Sequence, residues 1–303
     1  MNSYFSKHKK CCRRLYPAFP PAVPPIIVKA RFLYVSSALN NTVEIYNIFN
    51  PIAPVHVGRF NGVNLNFPSG LAITGTILYV ANQGNNTVEI YNIINPTTPI
   101  RVGKFNSGNL SFPDQLAITG KVLYVTNGGD NTIEIYNIIN PTTPIRVGEF
   151  GAGDLNVPSG MTTTDSTLYV ANTGDNTVEI YNITNPMVPV HIGEFNAGNL
   201  NIPAGLATKG TTLYVANAGD NTIEIYNITN PTTPIRVGEF GAGDLNVPAV
   251  LAITDTTLYI ANIGDNTVEI YNITNPMVPV RIREFNGANL NFPNGLAIFT
   301  LFG

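Results

Sequence analysis

Apolar and polar residues alternate along this chain in short bursts, and the pattern of bursts returns six times between Phe32 and Ile298. Leu-Tyr-(Val/Ile) recurs with its tyrosine at Tyr34, Tyr79, Tyr124, Tyr169, Tyr214 and Tyr259, a spacing of 45 residues without drift. A period of this length marks a unit that cannot bury its own apolar faces and must stack on its copies. In the unit from Pro158 to Asn201, four runs read as strands. The first is Met161–Thr164 (Leu71-Ala-Ile-Thr74 in another copy) and the second is Leu168–Ala171. Both are apolar with little alternation, which predicts cover on both faces. Thr177–Ile183 is dense in β-branched and aromatic residues, and Val190–Phe195 alternates and carries charge. Between them lie Asp165-Ser166, Asn172-Thr-Gly-Asp-Asn176 and the Asn185-Pro186 to Pro189 turn, whose Gly, Asn and Asp residues tolerate positive φ. No stretch of the unit reads as a helix.

Four short strands per unit, joined by hairpin-length turns and covered on both faces, predict a blade. Six of them arranged radially predict an all-β, six-bladed β-propeller over residues 26–303. Seven inner-strand segments compete for six slots: Ile26–Val28 and those beginning at Leu71, Leu116, Met161, Leu206, Leu251 and Leu296. Leu296-Ala-Ile298 keeps the full approach loop and is assigned the slot beside Leu33-Tyr-Val35. The ring is then closed by pairing of the chain ends, which removes exposed sheet edges. Closure also predicts a monomer.

Composition alters this picture at one end only. Residues 1–31 hold Lys7, Lys9, Lys10, Arg13, Arg14, Lys29 and Arg31 and no acid, a formal +7. The chain's 16 basic and 19 acidic residues leave 9 and 19 for the rest, a formal −10. Residues 1–25 read as a basic, proline-rich, disordered arm, and a solvated leader is favoured over an anion-binding tail. Its prolines interrupt the apolar stretch a secretory signal would need, so export by that route is not expected. Cell-surface or spore-surface display through the arm is one reading and a cytoplasmic location the other. Cys11 and Cys12, the only cysteines, are adjacent and cannot staple the repeats. No segment has the run of about 18 apolar residues that spans a membrane. The acidic balance of the ring disfavours nucleic acid.

Tyr124-Val-Thr-Asn127, with Tyr169-Val-Ala-Asn172 and Tyr214-Val-Ala-Asn217 as close variants, resembles the repeat of the YVTN family of propellers. The Asn140–Gly148 and Asn230–Gly238 segments are similar to the LVIVD repeat, another propeller type. The resemblance spans about 265 residues and implies the fold. Repeats of this kind occur in surface-layer proteins, binding scaffolds and some enzymes, so it implies no catalytic residue.

Chemistry is sparse. His56 and His191 fall on fourth strands, at a position held elsewhere by Arg101, Arg146, Arg236 and Arg281. They read as solvated polar residues, with His8 in the arm. The recurring Glu44, Glu89, Glu134, Glu179, Glu224 and Glu269 read as outer-edge charges that discourage sheet pairing. Tyr46, Tyr91, Tyr136, Tyr181, Tyr226 and Tyr271 read as blade-to-blade packing. Asp130, Asp175, Asp220 and Asp265 in the hairpin turns are candidate ligands for calcium, the one cofactor suggested, because oxygen donors suit a hard cation. Asn82, Asn127, Asn172, Asn217 and Asn262, with Asn109, Asn199 and Asn289 on the approach loops, offer amides on one face for a glycan or protein ligand. Near-identical copies favour multivalent recognition, hence a non-enzymatic binding or scaffold protein. The rival is a metal-dependent lyase or hydrolase using the central funnel, which needs odd residues converging at the centre.

Overall fold

The computed structural model describes residues 28–61, 64–106, 108–196, 198–286 and 289–302. These form six antiparallel four-stranded sheets. Blades 2 to 6 each use four consecutive strands, for example Pro158–Thr163, Thr167–Asn172, Thr177–Asn182 and Val190–Phe195 in blade 4. Blade 1 is built from both chain ends. Its inner strand is the last one, Pro293–Phe302, which pairs with Val28–Ser37. Leu296 opposes Val35 and Ile298 opposes Leu33, so the C-terminal segment fills the closing slot as the sequence predicts. Of the rival Ile26–Val28, Val28 opens the second strand and opposes Phe302, while Ile26 and Ile27 lie outside the described residues.

Each seam between neighbouring blades is packed by the same side chains. The second-strand tyrosines are fully buried. Five donate through their hydroxyls to a proline carbonyl of the following blade, as Tyr79 does to Pro141 at 2.6 Å and Tyr169 to Pro231 at 2.9 Å. Farther out, a fourth-strand phenylalanine stacks on the third-strand tyrosine of the next blade. Phe60 meets Tyr91 with centroids 4.5 Å apart, and Phe285 meets Tyr46 at 4.7 Å across the closing seam. The tyrosines are therefore inter-blade packing, as expected.

Two expectations about the outer strands are corrected. The third strand is buried on both faces, and its glutamates are 0–1% exposed. Each is held by the fourth strand: Glu89 by Arg101 at 2.6 Å, Glu269 by Arg281 at 3.0 Å, Glu44 by His56 at 2.7 Å and Glu179 by His191 at 2.8 Å. They are not outer-edge charges, and the Arg/His position is their hydrogen-bonding partner, with side chains 27–35% exposed, rather than a freely solvated site. The cause is a bulge. Ile225 opposes Gly238 but Tyr226 opposes Arg236, so the register slips by one residue. Directly paired residues share a face, and Tyr226 shares its face with Glu224 two positions away. The slip thereby turns Arg236 onto the glutamate's face.

Burial raises the pKa of Glu134 and Glu224, and that of Glu269 to about 7, with the Glu284 carboxyl adding to the last. A carboxyl that binds its proton more tightly folded than unfolded stabilises the fold below its unfolded pKa. That contribution is lost as pH rises through the folded value. The window for Glu269 runs from its ordinary 4.5 to about 7, and the effect is on the order of 2 kcal/mol. The midpoint of thermal unfolding is thus expected to be at least about 3 °C higher at pH 5 than at pH 8. Differential scanning calorimetry across that range checks it, and a flat or rising profile contradicts the reading.

Candidate functional site

The hairpins joining second to third strands and the loops entering each inner strand share one face of the ring. Five of the eight asparagines proposed as ligand groups, Asn82, Asn127, Asn172, Asn217 and Asn262, lie between these two loop layers. Asn82 accepts from Asn66 N at 2.7 Å and donates to Asn64 O at 2.6 Å. Asn127, Asn172, Asn217 and Asn262 accept from their own entry loops in the same way. All five are 0–1% exposed. Their amides stitch loop to hairpin and do not reach the surface. In blade 1, Ser37 takes over this role by donating to Asn289 O and Asn291 O. Asn109 and Asn199 are exposed and Asn289 is half-buried.

The hairpin aspartates, one in each of blades 3 to 6, are exposed and engaged with amides. Asp130 accepts from Asn127 at 3.0 Å, and Asp175 accepts from Asn156 at 2.9 Å and from Asn172 at 3.2 Å. Asp220 and Asp265 repeat the latter pattern. Among the described residues no three His, Cys, Asp or Glu side chains are grouped to hold a metal. No helix among them is long and apolar enough to cross a membrane.

A second stitch runs between blades. Asn41, Asn86, Asn131, Asn176, Asn221 and Asn266 each adopt positive φ. Each accepts, through its side-chain oxygen, the N–H of the residue before the next inner-strand proline, as Asn86 does from Phe112 at 2.9 Å. Those pre-proline residues, Phe67, Phe112, Val157, Ile202, Val247 and Phe292, also have φ between 51° and 60°. The left-handed region costs a β-branched or aromatic residue about 1–3 kcal/mol. Phe112 is pinned at both ends, its carbonyl accepting from Gly128 N at 3.2 Å. The strain points apolar side chains outward around the mouth of the axis: Phe112 is 60% exposed and Val157 50%.

Inside this rim the sixfold symmetry breaks. The residue after each inner-strand proline is Ser69, Asp114, Ser159, Ala204, Ala249 or Asn294, and the next is Gly70, Gln115, Gly160, Gly205, Val250 or Gly295. The strands approach so closely here that a Cβ on Gly160 would lie 2.7 Å from Gly205 Cα and against the Ala204 carbonyl. Gln115 instead reaches past blade 2 and donates to Asn294 O at 3.1 Å. Asp114 is half-buried. Its Oδ2 accepts from Ser159 Oγ at 2.9 Å, and its backbone carbonyl accepts from Ser69 Oγ at 2.9 Å. Burial raises its pKa to about 6, opposed by hydrogen bonds from Ser159, Asn294 and Gln115. Its Oδ1 is shielded and has no partner at good hydrogen-bonding geometry. Asp114 and Ser159 face a cavity of about 330 Å3, walled by Phe112, Val157, Pro158 and Thr173. An apolar depression with one converging carboxylate is the usual form of a small-ligand site. Sequence reading passed over Asp114 because it sits in a single column of otherwise near-identical copies. Aligning the six units and asking which column changes chemistry would have found it.

No protein-family model and no curated protein matches the sequence. The fold is nonetheless shared with solved propellers. A structure of a nidogen/laminin complex contains a chain 16% identical with a TM-score of 0.68, covering 89% of this chain and 98% of that one. The Pseudomonas aeruginosa periplasmic gluconolactonase is 12% identical with a TM-score of 0.66, covering 89% and 85%. A functionally unknown protein of Desulfotomaculum acetoxidans is 16% identical with a TM-score of 0.63, covering 88% and 98%. At these identities the likeness is one of fold.

Proposed function

We propose that this propeller is a non-enzymatic binding protein whose ligand, a glycan terminus, enters the axial mouth at Asp114. The supporting observation is a shielded carboxylate on the wall of this cavity, the only acid in its sixfold column, beside exposed Phe112 and Val157. A carboxylate accepts sugar hydroxyls, and an apolar rim packs against the C–H face of a pyranose. The exposed Asn199 supplies a further amide on the same face. The ring shares its fold with a chain from a protein–protein complex, which suits a binding role. The basic arm on an acidic ring fits surface display.

On a glycan array, the full-length protein is expected to bind a restricted set of glycans. Asp114→Asn should weaken that binding by about 10- to 100-fold, the worth of one charge-assisted hydrogen bond. Retention of binding in Asp114→Asn would remove the site from the account. One observation favours a second reading: a carboxyl titrating near 6 suits general acid–base chemistry. A gluconolactonase is among the structures of this fold. Turnover of sugar lactones that disappears in Asp114→Asn would replace binding with hydrolysis.

A further inference from the structure

The opposite mouth of the axis carries a separate set of odd residues, brought together where the ring closes. In the seams leaving blades 1 to 5 the second-strand tyrosine hydroxyl donates to a proline carbonyl. At the closing seam the equivalent hydroxyl, that of Tyr259, is buried without an acceptor. Nearby stands Arg31, where the other copies have Thr76, Lys121, Ser166, Thr211 and Thr256. Arg31 acts on Tyr259, its charge opposing the upward shift that burial imposes on the phenol. Its Nη2 donates to Asp255 at 2.8 Å, while its Nε is buried with no acceptor. The unpartnered Nε of Arg31 is a donor only, so an acceptor beside that guanidinium would complete the site.

A cavity of about 560 Å3 opens beside Arg31, lined also by Lys209, Thr254, Asp255, Ile253 and Ile298 among others. Lys209 is also an exception, since its column elsewhere holds Thr74, Thr119, Thr164, Thr254 and Phe299. Its ammonium donates once, to Ile273 O at 2.6 Å, which leaves two N–H groups for a ligand. Two cations and one carboxylate leave the mouth a formal +1. A monoanion neutralises that charge, whereas a phosphate dianion would exceed it. The two isoleucines add an apolar wall.

We infer that this mouth binds a small organic carboxylate, its head group on Arg31 and Lys209 and its aliphatic part on Ile253 and Ile298. It is independent of the Asp114 site on the other face. The test is calorimetric titration of the full-length protein with hexanoate, alongside hexanol and inorganic phosphate. Hexanoate is expected to bind, hexanol not to, and phosphate to bind more weakly. Lys209→Thr, which installs the residue of the neighbouring copies, should weaken hexanoate about tenfold. Asp255→Asn, which removes the exposed competing carboxylate, should tighten it severalfold, and Asp114→Asn should leave it unchanged. No heat at about 10 mM hexanoate, equal affinity in Lys209→Thr, weaker binding in Asp255→Asn, or tighter binding of phosphate would each overturn the assignment.

Discussion

Removal of residues 295–303 is expected to abolish cooperative unfolding, not merely lower its midpoint. The deleted segment is most of the inner strand of blade 1. It supplies Leu296 to one hydrophobic cluster and Ala297 and Phe299 to another, on the two sides of that blade. Its backbone pairs with Val35, Leu33 and Arg31. Without it, the first strand keeps only one pairing partner, and the faces of blades 6 and 2 that pack on it are uncovered. Fully burying one large apolar side chain contributes about 1.5–3 kcal/mol, and typical net stabilities are only 5–15 kcal/mol. Two such side chains, Leu296 and Phe299, together with the smaller Ala297 and a lost strand pairing, consume most of that margin. In an open repeat array the loss would stay local. In a ring it opens the closing seam, so the effect spreads. Circular dichroism melting decides between them: a sharp transition in the truncated chain would mean that closure is dispensable.

Breaking one buried ion pair by removal of its cation should cost about 3–5 kcal/mol. Arg236→Leu is the case to make, because it leaves Glu224, 1% exposed, without its partner. Glu224 already has a raised pKa from burial, and Arg236 is the main influence holding it down. Deprived of that charge it must either stay ionised in an apolar sandwich or fold protonated. The loss should therefore shrink as pH falls toward 5. A second substitution, Glu224→Gln, should restore most of the stability to Arg236→Leu by removing the stranded charge. Chemical denaturation of the two single variants and the double variant measures this coupling. Additive effects would mean that the pair is not an interacting unit.

Both expectations rest on features that sequence and tertiary structure contributed unequally. Blade count, strand placement and the claim of Leu296–Ile298 to the closing slot were legible in the spacing, since a 45-residue unit with two apolar faces can only stack on its copies. The aromatic stripe at Tyr46 and its equivalents was legible for the same reason. The glutamates were misread because counting by twos cannot register a bulge: one inserted residue turns Arg236 from the opposite face onto that of Glu224. The hairpin asparagines were misread because composition reports an amide and not its partner, and Asn82 spends both ends on Asn64 and Asn66.

The chain by itself determined a ring of six sheets, because burying its periodic apolar faces has one economical geometry. What only the folded ring decided is where copies that look alike cease to be equivalent. Asp114 and Gln115 meet Ser159 and Asn294 at one end of the axis, and Arg31 meets Asp255 beside Lys209 at the other. The residues in these contacts lie 45, 179 and 224 positions apart. Closure of the sheet array brings them together, and no local pattern encodes it.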